Sequence, residues 1–158
     1  LLPFIILYML KIISNNLIKQ IIITYYFKGK DIEDVQRKAE YFSKNYLQSI
    51  LREKALEKIS WHKSNGHTIV IVSASIDLWL KPWCEQNGII LISTMLEVKD
   101  QIITGKTFKK NCYGLEKVKR IQELYNLSDY HYIYAYGNSR GDREMLGIAS
   151  EPHYKPFI

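Results

Sequence analysis

Ser73, Ala74, Ser75, Lys117, Asn138 and Asp142 are the residues whose types and settings could do chemistry, and they lie in three separate stretches of the chain. Asn138 and Asp142 sit four apart in a polar glycine turn that follows an apolar run, Tyr130 to Tyr136, and precedes a helical pattern. Two oxygen-bearing side chains at the carboxyl end of a strand suit a hard cation such as Mg²⁺. The same turn could equally be a capped helix start, with Asp142 near the positive end of the helix dipole. Ser73-Ala74-Ser75 closes another apolar run, where small hydroxyls and the backbone N–H groups of the next turn can hold a phosphate oxygen. One of those serines could instead cap the helix that follows. Lys117 falls in the first turn of a helix, where the dipole disfavours a cation, so it calls for an anionic partner. A lysine that snorkels to solvent is the plain alternative.

These residues need strands to carry them. Thr68 to Ser73 is a continuous β-branched run of the kind found inside a parallel sheet, and Gly88 to Ser93 is a second. Met95 to Lys99 and Gln101 to Thr104 form a hairpin pattern around Lys99-Asp100. Helices are expected at Ile76 to Gln86 and at Leu115 to Tyr125, the latter after Gly114. Upstream the pattern is all helical: Phe4 to Ser14, Leu17 to Phe27, Ile32 to about Tyr46 behind Asp31 as N-cap, and Leu51 to Asn65 ending at Gly66. The change from helices to alternating strands and helices puts a boundary near residue 50, with a helical segment at 1–50 and an α/β core at 51–158. Tyr154 to Phe157 reads as a final extended segment beside the sheet.

Length and composition narrow the classes. With 158 residues and 47% hydrophobic content, the chain can bury a sizeable core. The net charge of +6 is scattered, with no basic run of five, which argues against a nucleic-acid groove and is compatible with phosphorylated substrates. Cys84 and Cys112 lack zinc or redox spacing and suit a reducing, cytoplasmic setting. The four histidines are scattered without paired spacing, and His62 and His67 read as surface or capping side chains. The apolar start, Leu1 to Leu10, is interrupted by Lys11 well short of the roughly 20 residues of a membrane span. Peripheral membrane contact through residues 1–27 is left open.

Order and spacing carry a family resemblance. Residues 61–75, Trp61 through Ser75, are similar to the second motif of the haloacid dehalogenase superfamily in its phosphoserine-phosphatase-like branch. Asn111-Cys-Tyr-Gly-Leu-Glu-Lys-Val118 resembles the third motif, and Tyr136-Gly-Asn-Ser-Arg-Gly-Asp-Arg-Glu-Met-Leu146 the fourth. The resemblance implies a Rossmann-like parallel sheet flanked by helices, with an all-helical cap. It implies phosphomonoester hydrolysis through an aspartyl-phosphate, with Mg²⁺ and a lysine balancing the charge of the phosphoryl group. By position Ser73, Ala74 and Ser75 would bind phosphoryl oxygens, Lys117 would balance phosphate and nucleophile, and Asn138 and Asp142 would hold Mg²⁺.

The resemblance also implies a first motif, Asp-x-Asp on an N-terminal strand, which supplies nucleophile and general acid. Asp31, Asp34, Asp77 and Asp100 lack the strand-end setting and the second aspartate two residues on. The expectation is therefore that about 25 to 30 residues lie upstream, that the central strand is lacking here, and that the chain as given is inactive. Asn138 stands where the family usually has aspartate, bringing an oxygen without a charge. The substrate is expected to be a small phosphorylated metabolite or a lipid phosphate, chosen by the cap. A degenerate, non-catalytic domain acting as a binding module is the rival reading.

Overall fold

The computed structural model describes residues 3, 8–10 and 12–157. Of the helix expected at 4–14, residues 4–7 and 11 lie outside them. Helix α1 (Asn15–Phe27) starts at Ser14, whose side chain accepts from the Leu17 N–H. Gly29, with φ +78°, turns the chain out of it. Helix α2 (Ile32–Phe42) is capped by Asp31, whose carboxylate accepts from the Glu33 and Asp34 N–H groups. The sequence expectation ran this helix on to Tyr46, whereas a π-helical turn (Ser43–Leu47) and one last turn (Gln48–Ile50) continue it. The wider turn lets Ser43 and Leu47 both face inward. Helix α3 (Glu53–Ser64) ends at Gly66, whose φ of +70° ends the helix as a C′ glycine does.

The α/β part follows. Strand β1 (Val70–Ile76) leads to α4 (Asp77–Gln86) and to β2 (Ile90–Thr94), which pairs parallel with β1. A hairpin, β3 (Leu96–Lys99) and β4 (Ile102–Thr107), turns at Asp100 and Gln101, both with positive φ, a two-residue turn matched to strand twist. Helix α5 (Leu115–Leu124) precedes β5 (Tyr134–Gly137), a 3₁₀ turn (Arg140–Asp142), α6 (Arg143–Leu146) and β6 (Glu151–Tyr154). β6 pairs parallel with β5 but ends at Tyr154, so the extended segment expected at Tyr154 to Phe157 lies earlier in the chain, and residues 155–157 turn instead.

The architecture is the mixed α/β one expected, with parallel strands flanked by helices. Its sheet is divided: among the described residues β1 pairs only with β2, and β5 only with β6. Between β1 and β5 lies a cleft of about 680 Å³ lined by Val70, Val72, Tyr134, Tyr136, His62 and Met145 among others. β1 is consequently half-buried along most of its length instead of lying in a sheet interior. Two apolar clusters hold the layers together. One joins Ile23, Val35 and Ala39 of the helical segment to Ile76, Leu78, Leu96 and Ile103; the other packs Leu47 against Trp83, Cys84 and Ile89. An isolated bridge, Asp31 to Ile102, stitches the entrance of α2 to the hairpin.

Candidate active site

The carboxyl ends of β1 and β5 open on one cavity of about 380 Å³. Ser73, Ala74, Ser75, Lys117, Asn138 and Asp142 all line it. Residues from three separated stretches therefore meet, as their chemistry required. Parallel strands deliver them, because loops at the carboxyl ends of neighbouring strands converge.

Asp142 is the centre. One carboxylate oxygen accepts from the Lys117 ammonium at 2.7 Å; the other accepts from the N–H of Asn138 at 3.0 Å, the N–H of Ser139 at 2.9 Å and the Ser139 hydroxyl at 2.8 Å. The side chains of the ion pair are only 7% and 10% exposed, which sets this pair apart from the surface pairs. Burial alone would raise the Asp142 carboxyl, but the hydrogen bonds from Lys117 and Ser139 and the charge of Lys117 outweigh it and hold the carboxyl below its ordinary range. The expected anionic partner of Lys117 is thus Asp142. A second N–H of Lys117 donates to the Val72 carbonyl of β1 at 2.6 Å, so the ammonium spans the mouth of the cleft.

Glycines make this packing possible. A Cβ at Gly137 would stand 2.5 Å from Asp142 Cβ, and one at Gly141 would stand 2.3 Å from the Tyr113 ring. The Gly141 carbonyl accepts from the Gly114 N–H at 3.0 Å, tying the turn after β5 to the start of α5.

Neither serine caps α4. Ile76 is its N-cap and makes no side-chain cap bond, while Ser73 Oγ accepts from the Ser75 N–H at 3.0 Å. The reason lies in the pairing of β1 with β2. Ser73 pairs with Ser93 and Ile76 with Thr94, so Ala74 and Ser75 bulge out of the ladder towards the cavity.

Several residues at the site escaped the sequence reading. Tyr113, Tyr136, Arg52, Pro156 and Phe157 form the rim, and Arg52 donates to the Phe157 carbonyl at 2.6 Å. Burial pushes the Tyr136 phenol up to about 12. His62 is not a surface residue: it is buried, with its ring nitrogens 2.8 Å from His67 Nδ1 and 2.9 Å from the Tyr136 hydroxyl. Desolvation, then the neighbouring cations, lower its pKa. Behind Ala74 stands Lys19 of α1, whose ammonium donates to the Ala74 carbonyl, to Thr94 Oγ1 and to Asn111 Oδ1.

Mg²⁺ demands a near-octahedral shell of oxygen ligands. Among the described residues no three His, Cys, Asp or Glu side chains converge. Asp142 Oδ2 is saturated by three donors and Oδ1 already accepts from Lys117, which leaves one lone pair there and the Asn138 amide oxygen, too few for an octahedral shell. By themselves these residues do not fit the ion.

A family model described as haloacid dehalogenase-like hydrolase matches residues 2–147. Protein CicA of Caulobacter vibrioides is 32% identical over 146 residues, 91% of this chain and 65% of that protein. The chain thus spans just under two thirds of the length of the curated relatives it matches. A protein of unknown function from Bordetella pertussis Tohama I has the same fold, with TM-score 0.81 at 18% identity over 92% of this chain and 68% of that one. A phospho-aspartyl intermediate analogue of phosphoserine phosphatase gives TM-score 0.54 at 26% identity over 87% of this chain and 63% of that one.

Proposed function

Since the chain belongs to the haloacid dehalogenase-like hydrolases, in their phosphoserine-phosphatase-like branch, we propose that it forms the phosphoryl-binding part of a phosphomonoester hydrolase. The observation that carries this reading is the cavity where Ser73, Ser75 and Lys117 converge beside the buried Asp142. Hydroxyl and N–H donors from the Ser73–Ser75 bulge and the Lys117 ammonium suit a phosphoryl dianion, whose charge grows on the leaving oxygen as the bond breaks.

The nucleophile comes from an additional strand bearing Asp-x-Asp, seated between β1 and β5. The cleft supports this, because it separates two parallel pairs whose inner edges face each other and it opens at Lys117. In the reaction the first aspartate attacks phosphorus, the ester P–O bond breaks, and the second aspartate gives the leaving oxygen a proton. Water then cleaves the acyl phosphate, releasing inorganic phosphate and restoring the carboxylate. With two of its N–H groups on Asp142 and the Val72 carbonyl, Lys117 has a third to give a phosphoryl oxygen, and its charge balances the incoming carboxylate. Mg²⁺ belongs to this reading only with the carboxylates of that strand, since Asn138 and Asp142 do not suffice. A cavity of about 380 Å³ with a rim of Arg52, Tyr113 and Phe157 favours a small phosphorylated metabolite over a two-chain lipid.

The experiment is phosphate release from an aryl phosphate with Mg²⁺, by this chain and by a form extended upstream with an Asp-x-Asp strand. Release by the extended form alone, abolished by Lys117→Met, is expected. Silence in a folded extended form would leave a phosphate-binding module without catalysis, and release by the shorter chain would mean the nucleophile lies elsewhere.

A further inference from the structure

The peptide between Ala74 and Ser75 belongs to no ladder. β1 and β2 pair at Ser73 with Ser93 and resume at Ile76 with Thr94, so sheet pairing does not fix its orientation. Something else must. The Ala74 carbonyl accepts from the Lys19 ammonium and lies 3.1 Å from Thr94 Oγ1. In a planar trans peptide the N–H points opposite to the C=O. Drawing the Ala74 carbonyl towards α1 therefore turns the Ser75 N–H to the other side, where it meets Ser73 Oγ at 3.0 Å. That bond occupies a lone pair of Ser73 Oγ, and no acceptor among the described residues takes the hydroxyl proton, which is left for a ligand.

We infer that Lys19 is a positioning residue: from the helical segment it sets the Ala74–Ser75 peptide so that Ser73 and Ser75 present donors to a phosphoryl group. This rests on reading the cavity as a phosphoryl site. The surroundings of Lys19 are built for the task. Its three N–H donors meet three neutral oxygens, Ala74 O, Thr94 Oγ1 at 3.1 Å and Asn111 Oδ1 at 2.5 Å. Thr94 is fully buried, and its oxygen also accepts from the Cys112 N–H at 3.0 Å. Asn111 is held in turn, donating to Asn16 Oδ1 at 3.0 Å. The charged or titratable groups that face Lys19 are the Cys112 thiol and the Arg120 guanidinium, both on the core side. Burial lowers the Lys19 ammonium to about 8, with the Cys112 and Arg120 charges acting in opposite directions. With no carboxylate at hydrogen-bond distance among the described residues, its positive charge stays unpaired behind the site.

The test titrates the isotope-labelled chain with sulfate, a dianion at every pH used, and follows the Ser75 amide signal. Lys19→Met is expected to weaken sulfate by about tenfold, because the freed Ala74–Ser75 peptide no longer aims one of its hydrogen bonds at the dianion, and to move the Ser75 signal in the free protein. Lys19→Arg keeps the charge and several donors and should restore most of the affinity. Wild-type affinity should fall as pH rises past about 8, and Lys19→Met should be flat there. Asn111→Asp leaves Lys19 and α1 in place but puts a carboxylate beside the ammonium, so the alkaline fall should move to higher pH. A limb that does not move, or Lys19→Met with wild-type affinity and an unshifted Ser75 signal, would overturn the role of Lys19 while Lys117→Met still abolishes binding. Sulfate that fails to bind even the wild-type chain would overturn the phosphoryl-site reading instead.

Discussion

Removing Lys117 should make the stability of this protein respond to acid with the opposite sign. In the wild type the Asp142 carboxyl is held below its ordinary range, so the pair contributes stability above the unfolded value of about 3.9 and loses it as pH falls further. In Lys117→Met the desolvation that pushes the carboxyl up remains, while the ammonium that pulled it down is gone. Asp142 then carries an uncompensated buried charge at neutral pH. Breaking a buried pair from one side costs about 3–5 kcal/mol. Three donors to the second oxygen persist, which places the expected loss at the lower end, about 3 kcal/mol at pH 7. For a chain of this size that is a fall in Tm of roughly 6–12 °C. Lowering the pH to about 3, below the unfolded carboxylate value of about 3.9, lets the mutant protonate Asp142 and recover while the wild type begins to weaken, so the gap should narrow. Urea unfolding at both pH values measures it. A gap under about 1 kcal/mol, or one that is constant with pH, would refute the account of the pair as buried and electrostatically coupled.

Other substitutions have equally definite outcomes. Gly141→Ala would drive a methyl into the Tyr113 ring and should cost at least about 2 kcal/mol in a denaturant melt, because the ring lies against a tight turn. Thr94→Val strips the buried hydroxyl that accepts from the Cys112 N–H and should cost about 1–3 kcal/mol, with Cys112 amide exchange accelerated. The lowered pKa of His62 means the folded chain resists its protonation, so stability should drop as pH falls below about 6.5, and His62→Gln should flatten that part of the profile. Mg²⁺ added alone should leave the Tm of this chain unchanged, since Asn138 and the one open carboxylate oxygen of Asp142 do not complete its shell.

What the sequence disclosed and what it hid divide along one physical line. Ser73, Lys117, Asn138 and Asp142 could be read because each sits in a local signal: a hydroxyl at a strand exit, a cation at a helix start, oxygens around a glycine turn. The structure brings them to one cavity. Lys19 could not be read in that way, since its partners lie 55, 75 and 92 residues along the chain. The available hint was a lone cation within an otherwise apolar helix, and snorkelling explains most such lysines. Ser73 and Ser75 were open to a capping role because sequence shows the helix start but not the bulge that carries them past it. His62 was assigned to the surface by its neighbours Gly66 and His67, yet an aromatic shelf from β5, Tyr134 and Tyr136, covers it. The division of the sheet was legible, from the lack of an Asp-x-Asp strand among the motifs in hand. The π turn in the second helical stretch was not: Tyr46 stands at helical spacing from Phe42, yet the wider turn rotates it out to solvent and brings Leu47 inward in its place.

The most direct measurement is the mass of the upstream-extended chain, quenched in acid during turnover of an aryl phosphate. One added phosphoryl group, on an aspartate of the strand seated beside Lys117, is expected, and no adduct when that aspartate is replaced by asparagine. Steady phosphate release with no adduct trapped at any time would contradict it, placing the attack on phosphorus with water and leaving this cavity a binding site.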